Sequence, residues 1–262
     1  LNLRFFLAFF QNFQNLSRCC LYFFIPKNLK SLFEDKISTK AMKLKNYKDQ
    51  VVWIIGASSG IGRALAVELA SQGARLALSA RRKDELDRLA TTLGQAHKSF
   101  TLDVTDAELC ANTGSTIQAL FGRIDRIIFL AAAYIPMKLD ALDLAATKQI
   151  IDVNLLGAFH IISAILPLLK EQGCGQIALC GSVSGYTGLP GGQPYGASKA
   201  GIINLAESLH AELPRGIDVK LISPGFVRTA LTDKNDFEMP MIINCEQAAK
   251  NIACGLLTSR FE

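Results

Sequence analysis

From Val51 onward, short apolar runs alternate with longer amphipathic ones. The runs at 51–55, 75–79, 98–102, 126–131, 176–180 and 218–222 predict strands, some apolar enough to be buried on both faces. Between them, 60–72, 83–93, 107–121, 144–170 and 195–212 place apolar residues at helical spacing and predict helices. Regular strand–helix alternation implies crossover connections, so the pattern predicts an α/β fold, a single doubly wound parallel sheet with helices on both faces. No repeat or low-complexity linker divides it, and residues 42–262 read as one domain.

The first 41 residues break this pattern. Their apolar runs, 5–10 and 21–25, are interrupted by "QNFQN" and "SRCC", whereas a spanning helix needs about 20 mostly apolar residues in a row. With Met42 just before the first strand, the stretch reads as an upstream extension or start-site artefact, with a peripheral membrane anchor as the alternative.

Composition narrows the function classes. The chain has 262 residues, half of them hydrophobic, enough for a sizeable core. Its net charge of +5 comes from the opening, which holds six Lys/Arg against two Asp/Glu and leaves 22 against 21 from Met42 on. A nearly balanced folded part has no electrostatic footprint for nucleic acid. Seven cysteines in no paired spacing read as small apolar residues in a reducing, cytoplasmic setting, and three scattered histidines offer no metal ligand set. Each histidine reads as a surface or helix-packing residue. No G-x-S-x-G elbow supports a Ser-His-Asp hydrolase.

Two stretches carry chemistry. In "VVWIIGASSGIGRALAVELA", Gly56, Gly60 and Gly62 lie between the first strand and an amphipathic helix. A turn without side chains lets backbone N–H groups at a helix start approach a pyrophosphate. The second strand ends in Ala80, Arg81 and Arg82, where a carboxylate would otherwise meet the adenosine ribose. Guanidinium forks suit a 2′-phosphate, so NADP(H) is preferred over NAD(H), Arg81 being the better candidate. The plainer alternative is two solvated arginines at a helix start.

In "YGASKAGIINLAESL", Tyr195 and Lys199 stand four apart and share a helix face, for packing or for chemistry. A tyrosine that exchanges protons near neutral pH needs help, because unperturbed it titrates near pH 10. An ammonium about 4 Å away would favour phenolate by roughly 4 kcal/mol at an effective dielectric near 20, before desolvation opposes it.

With G-A-S-S-G-I-G on the first turn and Y-G-A-S-K later, the chain resembles the short-chain dehydrogenase/reductase family from about Lys45 to its end. The resemblance implies a Rossmann-like sheet and a catalytic set of Asn154, Ser182, Tyr195 and Lys199. Tyr195 would be the general acid/base, Ser182 an oxyanion donor, Asn154 the holder of a water linking Lys199 to solvent, and Lys199 a ligand of the nicotinamide ribose. Gly56, Ser58, Ser59, Gly60, Ile61 and Gly62 would cradle the cofactor phosphates, with Arg81 and Arg82 at the 2′-phosphate. "LDVTD" implies Asp103 and Val104 near the adenine. Ala131, Pro224, Gly225, Val227 and Thr229 would line the nicotinamide.

Two features depart from the family. Phe129, Leu130, Ala131 and Ala132 replace the usual N-N-A-G, so the middle of the sheet must be satisfied differently. Residues 260–262 would only begin the last strand, so the sheet is expected to lack that edge strand, or the chain to be a fragment. Tyr134, Leu189 and Met239, the last in "ALTDKNDFEMPMI", are the expected substrate-pocket residues beside Ser182. The implied substrate is a moderately apolar small-molecule ketone or alcohol. The expected assembly is a homodimer through the 144–170 and 195–212 helices. The rival reading is a catalytically weak NADP-binding sensor or interaction protein.

Overall fold

Six parallel strands lie in the order β3-β2-β1-β4-β5-β6: β1 Val51–Ile55, β2 Arg75–Ala80, β3 Lys98–Thr101, β4 Arg126–Phe129, β5 Gly175–Cys180 and β6 Ile217–Ile222. The computed structural model describes residues 46–235 and 237–262, and the expectations for residues 1–41 lie outside the described residues. Every residue of β1, β4 and β5 is buried, as a strand covered on both faces requires.

Seven α-helices cover the described sheet. On one face lie α1 Gly60–Ser71, α2 Lys83–Leu93 and α7 Cys245–Leu256, whose Leu65, Leu69, Leu86 and Ile252 pack on Val52, Ile54 and Leu78. On the other lie α3 Ala107–Phe121, α5 Gly157–Gln172 and α6 Tyr195–Glu212, whose Ile117, Ile161, Ile165 and Ile202 pack on Trp53, Ile127 and Ile177. The short α4, Leu144–Ile151, leads into α5, and Asp143 caps it by accepting from the Ala145 and Ala146 N–H groups. Both helical faces and the strand order bear out the doubly wound reading.

Three differences from the sequence reading have physical causes. The predicted 144–170 helix is split by a π-helical turn, Asp152–Leu156, which periodicity over a long apolar window does not resolve. Helix α7 was not assigned because alanines and Cys245 dilute its apolar stripe, although Asn244 caps it by accepting from Gln247 N–H at 2.7 Å. Strand β4 ends at Phe129: Leu130 N–H still donates to Ile55 O at 2.8 Å, and there the chain leaves the sheet. At the far edge, Leu221 N–H of β6 donates to Phe261 O at 2.8 Å. His97 also departs from the surface or helix role expected of it, being buried with Nδ1 accepting from Leu76 N–H at 3.3 Å.

The amino ends of the strands close around one buried cation. Arg126 donates from Nε to Gln50 Oε1 at 2.8 Å and from Nη1 to Leu256 O at 3.0 Å and to Gln176 Oε1, with its guanidinium 4.8 Å over the Tyr47 ring. Gln176 Nε2 in turn donates to Leu256 O at 2.9 Å, so α7 ends on a positive charge and an amide. Replacing Arg126 with Ala strands these acceptors in a dry site and is expected to lower stability by about 3 kcal/mol. The check is a lower urea midpoint at unchanged slope.

Candidate functional site

The site is assembled where the strands end at their carboxyl edge. Beyond β1 the chain turns so tightly that a Cβ on Gly62 would lie 2.2 Å from Gly56 O, and one on Gly56 2.7 Å from Ala131 N. Gly56 also has φ +97°, in the left-handed region that side chains avoid. Helix α1 then starts from Ser59, whose side chain makes no cap and whose first turn holds no acidic residue. Its leading N–H groups therefore face the turn with a positive partial charge, a setting that suits a phosphate. Ile61 packs inward from the same turn. The residues present fit a dinucleotide.

Arg82, not Arg81, is the arginine on this turn: its Nε and Nη2 donate to Ser58 Oγ at 3.3 and 3.0 Å. Arg81 sits near Asp103. Burial pushes the Asp103 carboxyl up, but hydrogen bonds from Thr105 and the Arg81 charge together hold it below the ordinary carboxylate range. Val104 is buried, and its carbonyl pairs with His160 Nδ1 at 2.8 Å. Thr229 crosses over the start of α1, its Cγ2 3.4 Å from where a Gly60 Cβ would stand. Pro224 O accepts from Val183 N–H at 3.3 Å, Gly225 reaches the neighbouring cavity, and Val227 is buried against a bridge to Ile243.

Tyr195 opens α6 and Lys199 follows one turn on, its Nζ 5.5 Å from the Tyr195 ring centre. Lys199 is 1% exposed, and its Nζ donates to Cys180 O at 2.7 Å, where β5 ends. Two residues later Ser182 Oγ accepts from Ser184 N–H at 3.2 Å, and it shares the lining of one cavity with Tyr195. Close packing sets this spacing, since a Cβ on Gly185 would lie 2.8 Å from the Lys199 carbonyl carbon.

The electrostatics correct the simple ion-pair expectation. Burial pushes the Tyr195 phenol well above its ordinary range, the Cys180 thiol adds to this, and the Ser182 hydrogen bond opposes it. Burial likewise pulls the Lys199 amine below its ordinary value. With both groups out of water and the amine directed at a carbonyl, desolvation outweighs the Coulomb attraction that charges alone would give.

Asn154 lies in the π turn and is fully buried. Its Oδ1 accepts from Ala133 N–H at 2.6 Å, and its Nδ2 donates to Ala133 O and Ser198 Oγ, both at 3.0 Å. Ser198 Oγ donates in turn to Tyr195 O at 2.7 Å. The side chain thus ties the loop at Ala133 to the first turn of α6. This chain of bonds also answers the missing N-N-A-G: the loop after β4 is fixed from Asn154. Sequence reasoning missed Ser198, although its place inside Y-G-A-S-K was a signal.

Beside these groups lies a cavity of about 90 Å³ lined by Tyr134, Ser182, Leu189, Tyr195, Phe226 and Phe237 among others. The Tyr134 and Tyr195 rings meet edge to face at 5.1 Å. Tyr134 Oη donates to Asn235 Oδ1 at 2.7 Å, and Lys234 Nζ donates to Tyr134 O at 2.8 Å. Met239 does not line the cavity; it stands behind Asn235, whose Nδ2 donates to its Sδ at 3.3 Å. Phe226, Phe237 and Asn235 take that place, unseen in a sequence stretch without periodicity.

The family model for short chain dehydrogenases matches residues 50–239. Uncharacterized oxidoreductases of Staphylococcus epidermidis and Mycobacterium tuberculosis are each 37% identical to the chain. They align over 194 residues (72% of this chain, 83% of the relative) and 202 residues (74% and 80%). Among solved structures, that of gox2181 superposes with a TM-score of 0.75 at 26% identity, covering 83% of this chain and 92% of that one. A short-chain dehydrogenase from Streptomyces avermitilis gives 0.72 at 25% identity, covering 82% and 87%.

The buried amine makes a measurable prediction. A pKa lowered by folding means that stability is lost as pH falls through the folded value and recovered toward the unfolded value near 10.5. Lys199→Met removes that cost at neutral pH. The variant is expected to melt at or above the parent temperature at pH 7, with the difference shrinking at pH 10, as followed by circular dichroism.

Proposed function

We propose that this chain, which belongs to the short chain dehydrogenase family and is an NAD(P)-dependent dehydrogenase or reductase, interconverts ketones or aldehydes with alcohols using NADP(H). The observation that carries the reading is the Tyr195 phenol on the cavity wall, with Ser182 in the same lining and buried Lys199 one helical turn away. When bound, NADP(H) supplies or accepts the hydride.

The protein's residues then divide the remaining work. Gly56, Ser58, Ser59, Gly60, Ile61 and Gly62 hold the pyrophosphate on the turn and helix start. Arg81 and Arg82 hold the 2′-phosphate, Asp103 and Val104 flank the adenine, and Ala131, Pro224, Gly225, Val227 and Thr229 form the nicotinamide wall. Lys199 orients the ribose. Asn154 acts as a positioning residue for the loop at Ala133 and, through Ser198, for the first turn of α6.

Tyr195 keeps its proton at neutral pH because burial favours the uncharged phenol. It donates that proton from Oη to the substrate oxygen as negative charge builds there, and Ser182 Oγ donates a second hydrogen bond to the same oxygen.

The exposed apolar side chains of Leu144, Leu156 and Phe159 on α4, the π turn and α5 support a homodimer through these helices. The described cysteines are free, which supports a reducing, cytoplasmic setting.

Two measurements test the reading. Tyr195→Phe is expected to cut turnover of ketone panels by roughly 100-fold or more while NADPH affinity, read by its fluorescence, stays within a few-fold. Tight NADPH binding by the parent chain without any turnover would favour a sensor instead. Arg81→Ala combined with Arg82→Ala removes charge-assisted bonds to the 2′-phosphate, and is expected to weaken NADPH about tenfold or more with NADH affinity unchanged.

A further inference from the structure

The lining of the cavity says what its ligand is made of. Among the described residues that form the wall, none is charged: the polar groups are hydroxyls and the Asn235 amide, and the rest are aromatic, aliphatic, proline or glycine. Phe226 and Phe237 meet edge to face at 5.9 Å across it. The nearby Lys234 ammonium is bonded to Tyr134 O. The two flanking segments also leave apolar side chains in water, Ile135 and Leu139 on one, Phe237 and Met241 on the other. A carboxylate or phosphate entering here would lose its water and gain no cation, a cost of about 2 kcal/mol or more.

Asn235 and Phe237 form one part of the wall. Their segment is fastened to the loop after β4 at both ends of Tyr134, through Oη to Asn235 and through its carbonyl to Lys234. The same tyrosine forms the wall facing Tyr195.

We propose, resting on the carbonyl–alcohol reading above, that the site selects uncharged, apolar ketones over keto acids, and that Tyr134 determines this specificity. Its ring supplies the apolar wall, and its hydroxyl holds Asn235 in the lining.

The full chain with NADPH is assayed on a matched pair, methylcyclohexanone and oxocyclohexanecarboxylate, which differ in one methyl against one carboxylate. The neutral ketone is expected to have a kcat/KM about thirtyfold higher or more. Tyr134→Phe keeps the ring and loses the bond to Asn235; KM for methylcyclohexanone should rise about fivefold with the pH profile of kcat and the NADPH affinity unchanged. Tyr134→Ala should narrow the preference between the two ketones. Equal use of both ketones overturns the substrate class and leaves the oxidoreductase reading standing. An unmoved KM in Tyr134→Phe, or an unmoved preference in Tyr134→Ala, overturns the role of Tyr134. NADPH binding with neither ketone reduced, across wider panels as well, overturns the catalytic reading and this one with it.

Discussion

The bond from Lys199 Nζ to the Cys180 carbonyl is the constraint around which the site is arranged. It ties the second turn of α6 to the end of β5, deep enough that the amine is almost without water. Such an amine is an unfavourable thing to bury, and folding tolerates it only where another part of the molecule needs it. Here one strand end fixes both Lys199, through Cys180, and Ser182, two residues further on. Tyr195 opens the same helix and faces the cavity between them. A hydroxyl pair and a buried amine thus share one rigid corner rather than three independent loops.

The same economy operates across the sheet. Asn154 reaches from the π turn to the backbone of Ala133 and to Ser198, so the loop after β4 and the start of α6 are referred to one side chain. The glycine turn is referred to that loop too, through the contact between Gly56 and Ala131. Glycine turn, loop and Tyr195 are therefore linked by buried polar bonds and van der Waals contact. Small displacements at one are felt at the others because none has slack.

Much of this was legible in the residues, and the illegible parts share a cause. Strands buried on both faces announce themselves as apolar runs, and the Gly56, Gly60, Gly62 trio and the Tyr195–Lys199 spacing encode local geometry that a sequence can carry. What is decided by distant partners cannot be read that way. Arg82 rather than Arg81 donates to the Ser58 hydroxyl, a pairing of residues 24 apart in the chain. Asn235 and Phe237 face the cavity, and Met239 does not, because a segment without periodicity folds against Tyr134. The phenol's acidity followed burial rather than charge, a quantity no spacing reveals.

The π-helical turn at Asp152–Leu156 has a consequence for the helix that contains it. One extra residue in a helical turn rotates everything beyond it by about 100°. The apolar stripes of α4 and α5 are therefore out of phase with each other, and a single continuous rod serves two differently oriented surfaces. Excising one residue there would restore regular helical bonding, yet it would turn Asn154 away from Ala133. A local defect in helical bonding is thus the joint that lets one helix serve both the sheet and the loop at Ala133.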